Sequence, residues 1–207
     1  EAVRLLEEVG GQGAPSAQEA AAYADVLMLM VVNAAQAEQV LFEQEGLAAM
    51  SPDGVVVLMA TCPPQEVKDI AAKVGRSGRA FLDAPVSGGT AGALSGTLSI
   101  MVGGAGDALD RVRPFLESMG SKIYHVGIAP GQGATVKTVN QLLCGAQLAV
   151  AAEGLALAER LGVDPHIVLK IVSGSSASSW MLSARGPRML VEDPPVSSAV
   201  DIFVKDL

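Results

Sequence analysis

Residues 127–133 read Gly-Ile-Ala-Pro-Gly-Gln-Gly, and the chain has one texture before them and another after. With three glycines and a proline, this stretch is a breaker-rich connection rather than part of an element. Upstream, five apolar runs fit buried strands: Val26 to Val32, Val55 to Met59, Ala80 to Leu82, Leu98 to Val102 and Ile123 to Val126. Helical stretches separate most of them. Glu1 to Val9 places Val3, Leu5, Leu6 and Val9 roughly on one side, Pro15-Ser16 opens a short helix, and Ala35 to Glu45, Pro64 to Val74 and Gly106 to Met119 fill later gaps. Strands alternating with helices predict an α/β fold with a mostly parallel, doubly wound sheet.

Downstream the strand-like runs stop. From Ala134 to Leu161 the residues are dominated by Ala, Leu, Val and Gln, apolar nearly all round, as in a helix buried between domains or subunits. Gly162 fits its C-terminal stop, Asp164-Pro165 supplies an N-cap and first-turn proline for the next helix, and Ser198 with Asp201 resembles a capping box for a last one. Two domains are expected, a sheet domain over 1–129 and an all-α domain over 130–207.

Composition bounds what such a chain can do. With 207 residues, 50% hydrophobic and 17% charged, it can bury a core and is not a disordered chain. A net charge of −8 and 3% aromatics argue against nucleic acid, which needs clustered cations and stacking rings, and against an anionic membrane surface. The longest purely apolar stretch, Val26 to Val32, ends at Asn33, far short of the about twenty residues of a membrane span. Gln147 and Glu153 interrupt the Ala-rich helix. No signal-peptide pattern opens the chain, and Cys62 and Cys144 lie far apart, so reduced thiols and a cytoplasmic setting are expected. The first residue, Glu1, is not a Met and reads as helix, so the natural protein is expected to extend further at its N-terminus.

The most unusual local segment is Asp83-Ala84-Pro85-Val86-Ser87-Gly88-Gly89, followed by Thr90, Gly92 and Gly96. Consecutive glycines after a strand let backbone N–H groups approach a carboxylate or phosphate, and Ser87 adds a hydroxyl donor. A plain turn is an equally good reading. A serine-hydrolase elbow is not, because Pro85 stands where GxSxG needs glycine. Gly131 to Thr138 has a superficial likeness to a phosphate-binding loop, but Val136 precedes Lys137 where that loop needs glycine. Lys137 then stands early in the long helix with Asn140 and Gln141 on the same face. It is either a domain-edge residue snorkelling to water or a buried amine of tunable pKa; position alone favours the first. Asn33 and Thr61 follow strands, where open α/β sheets bind ligands, although either could simply cap a helix. Lys205 and Asp206 read as solvated charge, Met28, Met30 and Met59 as core, and Trp180 as a domain anchor. His125 and His166 lack neighbours at ligand spacing and there is no CxxC, so no metal is expected.

Together these segments resemble the β-hydroxyacid dehydrogenases, the family of 3-hydroxyisobutyrate dehydrogenase and tartronate semialdehyde reductase. DAPVSGG with GTLSIMVGG is similar to the family's substrate-binding signature, GQGATVKTVNQLL to its catalytic helix, and SAVDIFVKDL to its C-terminal cofactor segment. VVNAAQAEQVLF, the SSW segment with RGPRML, and SAVDIFVKDL look most like the L-threonate dehydrogenases. The resemblance implies an oxidoreductase moving hydride between NAD or NADP and a small hydroxy acid. It implies Lys137 as acid/base, Ser87, Gly88 and Gly89 on the substrate carboxylate, Asn140 orienting the hydroxyl end, and Asn33, Thr61 and Lys205 on the cofactor.

The family opens with a strand and a GxGxxG turn that are absent here, so roughly thirty to forty residues, about one βαβ unit, are expected to precede Glu1. The chain also stops short of the family's last helices. An incomplete Rossmann-type sheet entering an all-α domain through a long interdomain helix is therefore expected, with activity in the complete enzyme rather than these 207 residues alone. The apolar helix suits a homo-oligomer. Two alternatives stay open: a non-catalytic nucleotide-binding or assembly module, and the same fold acting on a sugar-acid phosphate, which the lack of a basic cluster beside DAPVSGG makes less attractive. Asn33, Thr61 and Ser87 are expected to converge on one cleft, with the Lys137 ammonium facing it beside Ser87 to Gly89.

Overall fold

The structure, a computed structural model, describes residues 2–194 and 200–207. The chain divides into two compact units, Glu1–Lys137 and Thr138–Leu207.

The first unit is built on a sheet. Strands β1 (Val26–Leu29), β2 (Val55–Leu58) and β3 (Ala80–Asp83) run parallel in that order. Strand β4 (Val86–Ser87) continues the line of β3, because Asp83 opposes Gly103 of β5 (Ser99–Gly103) while Val86 opposes Ile100 and Ser87 opposes Ser99. Strand β6 (Lys122–Gly127) pairs with β5 in parallel. The sheet is thus Rossmann-like and mixed, β5 and β6 running against the first three strands.

Connection length explains the reversal. Between β4 and β5 stands only the six-residue helix that starts at Gly89 and ends at Leu94, and a parallel return needs a crossover of about a dozen residues or more. From β5 to β6 the chain has a full crossover helix, Gly106–Met119, and the pair is parallel.

Both faces of the sheet are covered, which is why β2 reads as a continuous apolar run. Val55 and Val57 pack with Leu82, Ile100, Leu109 and Leu116 on one face. Val56 and Leu58 pack with Leu41, Val67, Ile70 and Val74 on the other. Each such side chain contributes about 1.5–3 kcal/mol of burial.

Two expected elements change shape. The run Val26 to Val32 is strand only to Leu29, beyond which Met30 and Val32 are exposed, so Met30 is not core; Met28 is half-buried and Met59 is buried. The chain turns away there because Asn33 caps the next helix, Ala34–Glu38, which loosens into a π-helical turn, Gln39–Glu43, and breaks at Glu45 with φ +57°.

The second unit is helical among the described residues. Helix Gln132–Arg160 begins in the first unit and runs on through the second. Pro165–Ser173 follows with Asp164 as its side-chain cap, then Trp180–Met189 capped by Ser179, then Ile202–Asp206. Ser198 lies outside the described residues, and Asp201, the residue before the last helix, makes no side-chain cap bond. Trp180 is 65% exposed; the burial expected of it falls to its neighbours Met181 and Leu182. Helix Gln132–Arg160 is long and apolar enough to cross a membrane by length and composition, a property that contiguous apolar runs do not reveal because Gln141 and Gln147 interrupt them.

Candidate active site

Strands β1, β2 and β3 all end at one edge of the sheet, the edge where open α/β folds bind ligands. Asn33, Thr61 and Ser87 each follow one of these ends, so the three strand-end candidates leave the same edge. At Asn33 the capping alternative is real: its Oδ1 accepts from Gln36 N–H at 2.9 Å. That leaves the amide Nδ2 as a donor. Thr61 is half-buried, and the following helix, Pro64–Gly75, starts at a proline whose preceding residue, Pro63, gives no side-chain cap.

The turn after Ser87 needs its glycines for backbone reasons. Gly88 has φ +133° and Gly89 φ +62°, conformations that side chains disfavour, and a Cβ on Gly88 would lie 3.2 Å from the Leu98 Cδ2. Gly88 is also the N-cap of the six-residue helix. Turn and exposed donor loop are the same segment: Ser87 is half-buried, Gly88 and Gly89 are exposed.

Lys137, in the second turn of its helix, is only 6% exposed, so the snorkelling reading does not hold. The start of that helix is tied to β3 by Asp83. Its Oδ1 accepts from Gly131 N–H at 2.8 Å and its Oδ2 from Ala134 N–H at 2.7 Å. Asp83 is 1% exposed. Burial pushes its carboxyl above the ordinary range, while the N–H groups of Ala134, Gly131 and Gly133 and its own pull in the opposite direction.

In the second unit a polar chain runs from Asn140 to the last helix. Asn140 Nδ2 donates to Gln141 Oε1 at 3.0 Å, and Gln141 Nε2 donates to Asp206 Oδ2 at 2.5 Å. Lys205 Nζ stands 2.6 Å from Asp206 Oδ1, whose side chain is 1% exposed. Asp206 is therefore a buried carboxylate rather than solvated charge.

Asp83 and Asp206 are the polar residues that pattern reading missed. Asp83 ends an apolar strand and precedes Ala84-Pro85, a place for a helix cap in a turn rather than for a buried anion. Asp206 sits beside a lysine at a chain end, where charge is normally solvated. Among the described residues no group of three His, Cys, Asp or Glu could hold a metal, and His125 Nε2 lies 2.8 Å from the Gly104 carbonyl. Neither Cys62 nor Cys144 is in a disulfide among the described residues. Two concave surfaces lie away from these residues, one at Asp25, Val26, Met28, Arg111 and Phe115, the other between helices of the second unit around Val150, Leu169 and Ser179.

Comparison with known proteins adds relatives to this geometry. Residues 1–127 match the family described as the NAD binding domain of 6-phosphogluconate dehydrogenase, and residues 131–207 match the NAD-binding family of NADP-dependent 3-hydroxyisobutyrate dehydrogenase. L-threonate dehydrogenase of Cupriavidus necator is 41% identical over 208 residues, covering 100% of this chain and 70% of that protein. 2-Hydroxy-3-oxopropionate reductase of Escherichia coli is 36% identical, covering 98% and 69%. The crystal structure of 3-hydroxyisobutyrate dehydrogenase from Salmonella typhimurium superposes with a TM-score of 0.91 at 38% identity, over 99% of this chain and 72% of that one.

Proposed function

The chain belongs to the β-hydroxyacid dehydrogenase family of NAD(P)-dependent oxidoreductases, and on that premise we propose that it acts on a small hydroxy acid of the L-threonate type with Lys137 as general acid/base. The observation that carries this reading is the buried Lys137 on a helix fixed at its start to the strand that leads into the Ser87-Gly88-Gly89 turn. The 41% identity to an L-threonate dehydrogenase supports the substrate class.

In this reading Ser87 Oγ and the N–H groups of Gly88 and Gly89 donate to the substrate carboxylate. Lys137 as a neutral amine accepts the hydroxyl proton during oxidation, and as ammonium returns it during reduction. Asn140 orients the hydroxyl end, held in turn by Gln141 and Asp206. The nicotinamide cofactor supplies the hydride acceptor or donor. Asn33, Thr61 and Lys205 hold it; Asn33 fits, because its Oδ1 is used by the Gln36 N–H and its Nδ2 is left to donate to an acceptor-rich ligand at the strand edge. A cytoplasmic homo-oligomer belongs to the same reading. Domains over 1–129 and 130–207 are the corresponding division of labour, cofactor first and substrate and assembly second.

The reading is tested on the full natural chain with L-threonate, glycerate, 3-hydroxyisobutyrate and 3-hydroxypropionate, each with NAD and NADP. L-threonate should give the highest kcat/KM. Lys137→Arg should lower kcat by about 10²–10⁴-fold, because a guanidinium stays protonated. Normal turnover and an unchanged pH profile in that variant, with folding verified by circular dichroism, would remove Lys137 from the chemistry.

A further inference from the structure

Three segments of the first unit meet at Asp83: the end of β3, the end of β5, and the first turn of the helix that carries Lys137. Asp83 faces Gly103 across the sheet. Its two carboxylate oxygens take the Gly131 and Ala134 N–H groups, one oxygen each. Space there is so tight that side chains are excluded. A Cβ on Gly103 would lie 2.6 Å from Asp83 Oδ1 and 2.7 Å from Gly133 N, and one on Gly133 would run into the Met101 carbonyl and stand 2.8 Å from Asp83 Oδ2.

Among the described residues no ion pair involves this carboxylate. Burying it costs stability that a hydrophobic residue would not. What it has instead is helix geometry: two orphan N–H donors and the positive end of a 29-residue helix. Ala134 and Lys137 are three residues apart, about 4.5 Å along the helix axis. On the other side, Asp83 is four residues ahead of Ser87 in line with β4. One carboxylate therefore ties the helix of the proposed base to the strand of the proposed carboxylate-binding turn.

We propose that Asp83 is a positioning residue for the hydride-transfer reaction, setting the height and rotation of the Lys137 helix against the Ser87-Gly88-Gly89 turn. The inference rests on the acid/base reading of Lys137. Asn is a poor substitute, since its one oxygen can serve only one of the two N–H groups and its NH₂ opposes the other. Displacing a reacting group by about 1 Å can cost on the order of 10²-fold in rate.

The experiment uses the full natural chain and the fastest substrate and cofactor pair of the panel above. Asp83→Asn should lower kcat by about 10- to 10²-fold and displace the pH limb that Lys137→Arg abolishes, while KM for the cofactor holds within about twofold. Gly133→Ala leaves the carboxylate in place and pushes the helix start off it, and should give the same signature; it also serves if Asp83→Asn does not fold. Thr135→Val, which removes only the Thr135 Oγ1 bond to the Gly131 carbonyl, should leave kcat near wild type. Independently of any variant, hydrogen exchange should show the Gly131 and Ala134 amides strongly protected. Wild-type kcat and pH profile in a folded Asp83→Asn or Gly133→Ala chain, or unprotected amides, overturns the proposal. If Lys137→Arg turns over normally, the acid/base reading fails instead, whatever Asp83 does.

Discussion

Asp83 carries an energetic signature that can be read without any assay of turnover. Its carboxyl is raised by burial, the backbone N–H bonds offsetting this only in part. Between the unfolded value of about 3.9 and the raised folded value, the native state holds the proton more than the unfolded chain does. Linkage then makes this group's contribution to stability fall as pH rises through that window, and stay unfavourable above it. Asp83→Asn has no such proton. The stability difference, wild type minus Asp83→Asn, is therefore expected to shrink or grow more negative as pH rises from about 4, as urea midpoints of both chains across pH would show. A pH-independent difference would mean the carboxyl titrates normally. The opposite environments of Lys137 and Lys205 belong to this scale too. Both sit in polar-and-apolar mixtures of sequence that give no burial signal. One is 6% exposed and the other keeps a third of its side chain in solvent, and only the packing around each decides that.

The Gly88-Gly89 turn is where element geometry and chemistry coincide. Gly88→Ala puts a Cβ at φ +133° and 3.2 Å from the Leu98 Cδ2, a strain of order 1–3 kcal/mol. KM for the hydroxy acid should rise and the KM for the cofactor should not, with a lowered melting temperature; equal affinity for the hydroxy acid would separate this turn from the carboxylate. Elements with one dominant signal were legible in the sequence. The buried β2 run, the proline-opened helix at Pro64 and the long helix after Gly133 all formed where their residues pointed. Four-residue helix Gly46–Ala49, two-residue β4 and the reversed direction of β5 were not, because each depends on a connection too short to carry periodicity. The candidate site was legible at its strand ends and its glycine turn. Asp83 and Asp206 were invisible, since what makes each unusual is a partner far along the chain: Gly131 and Ala134 for one, Gln141 for the other.

At the scale of the molecule, the helical unit has too little core to account for its apolar content. Ala151, Leu155, Ala158, Met181 and Leu182 are buried, but helix Pro165–Ser173 buries no residue. Meanwhile Val139, Leu142, Leu143, Val150 and Leu157 stay exposed on the long helix, several of them at i+4 and i+7 spacing. Each would gain about 1.5–3 kcal/mol on being covered. A stripe of this kind is covered either by protein or by lipid, and by length and composition the helix is long and apolar enough to cross a bilayer. The polar chain through Gln141 to Asp206 argues for protein, because an amide on this helix paired with a carboxylate of the last helix would be expensive in hydrocarbon. The full natural chain is therefore expected in the high-speed supernatant, with a light-scattering mass at least twice that of one chain. Leu143→Glu with Val150→Glu should lower that mass toward a monomer while leaving the first unit folded. Recovery only from the membrane fraction after detergent, or an oligomer indifferent to both glutamates, would assign this stripe a different cover.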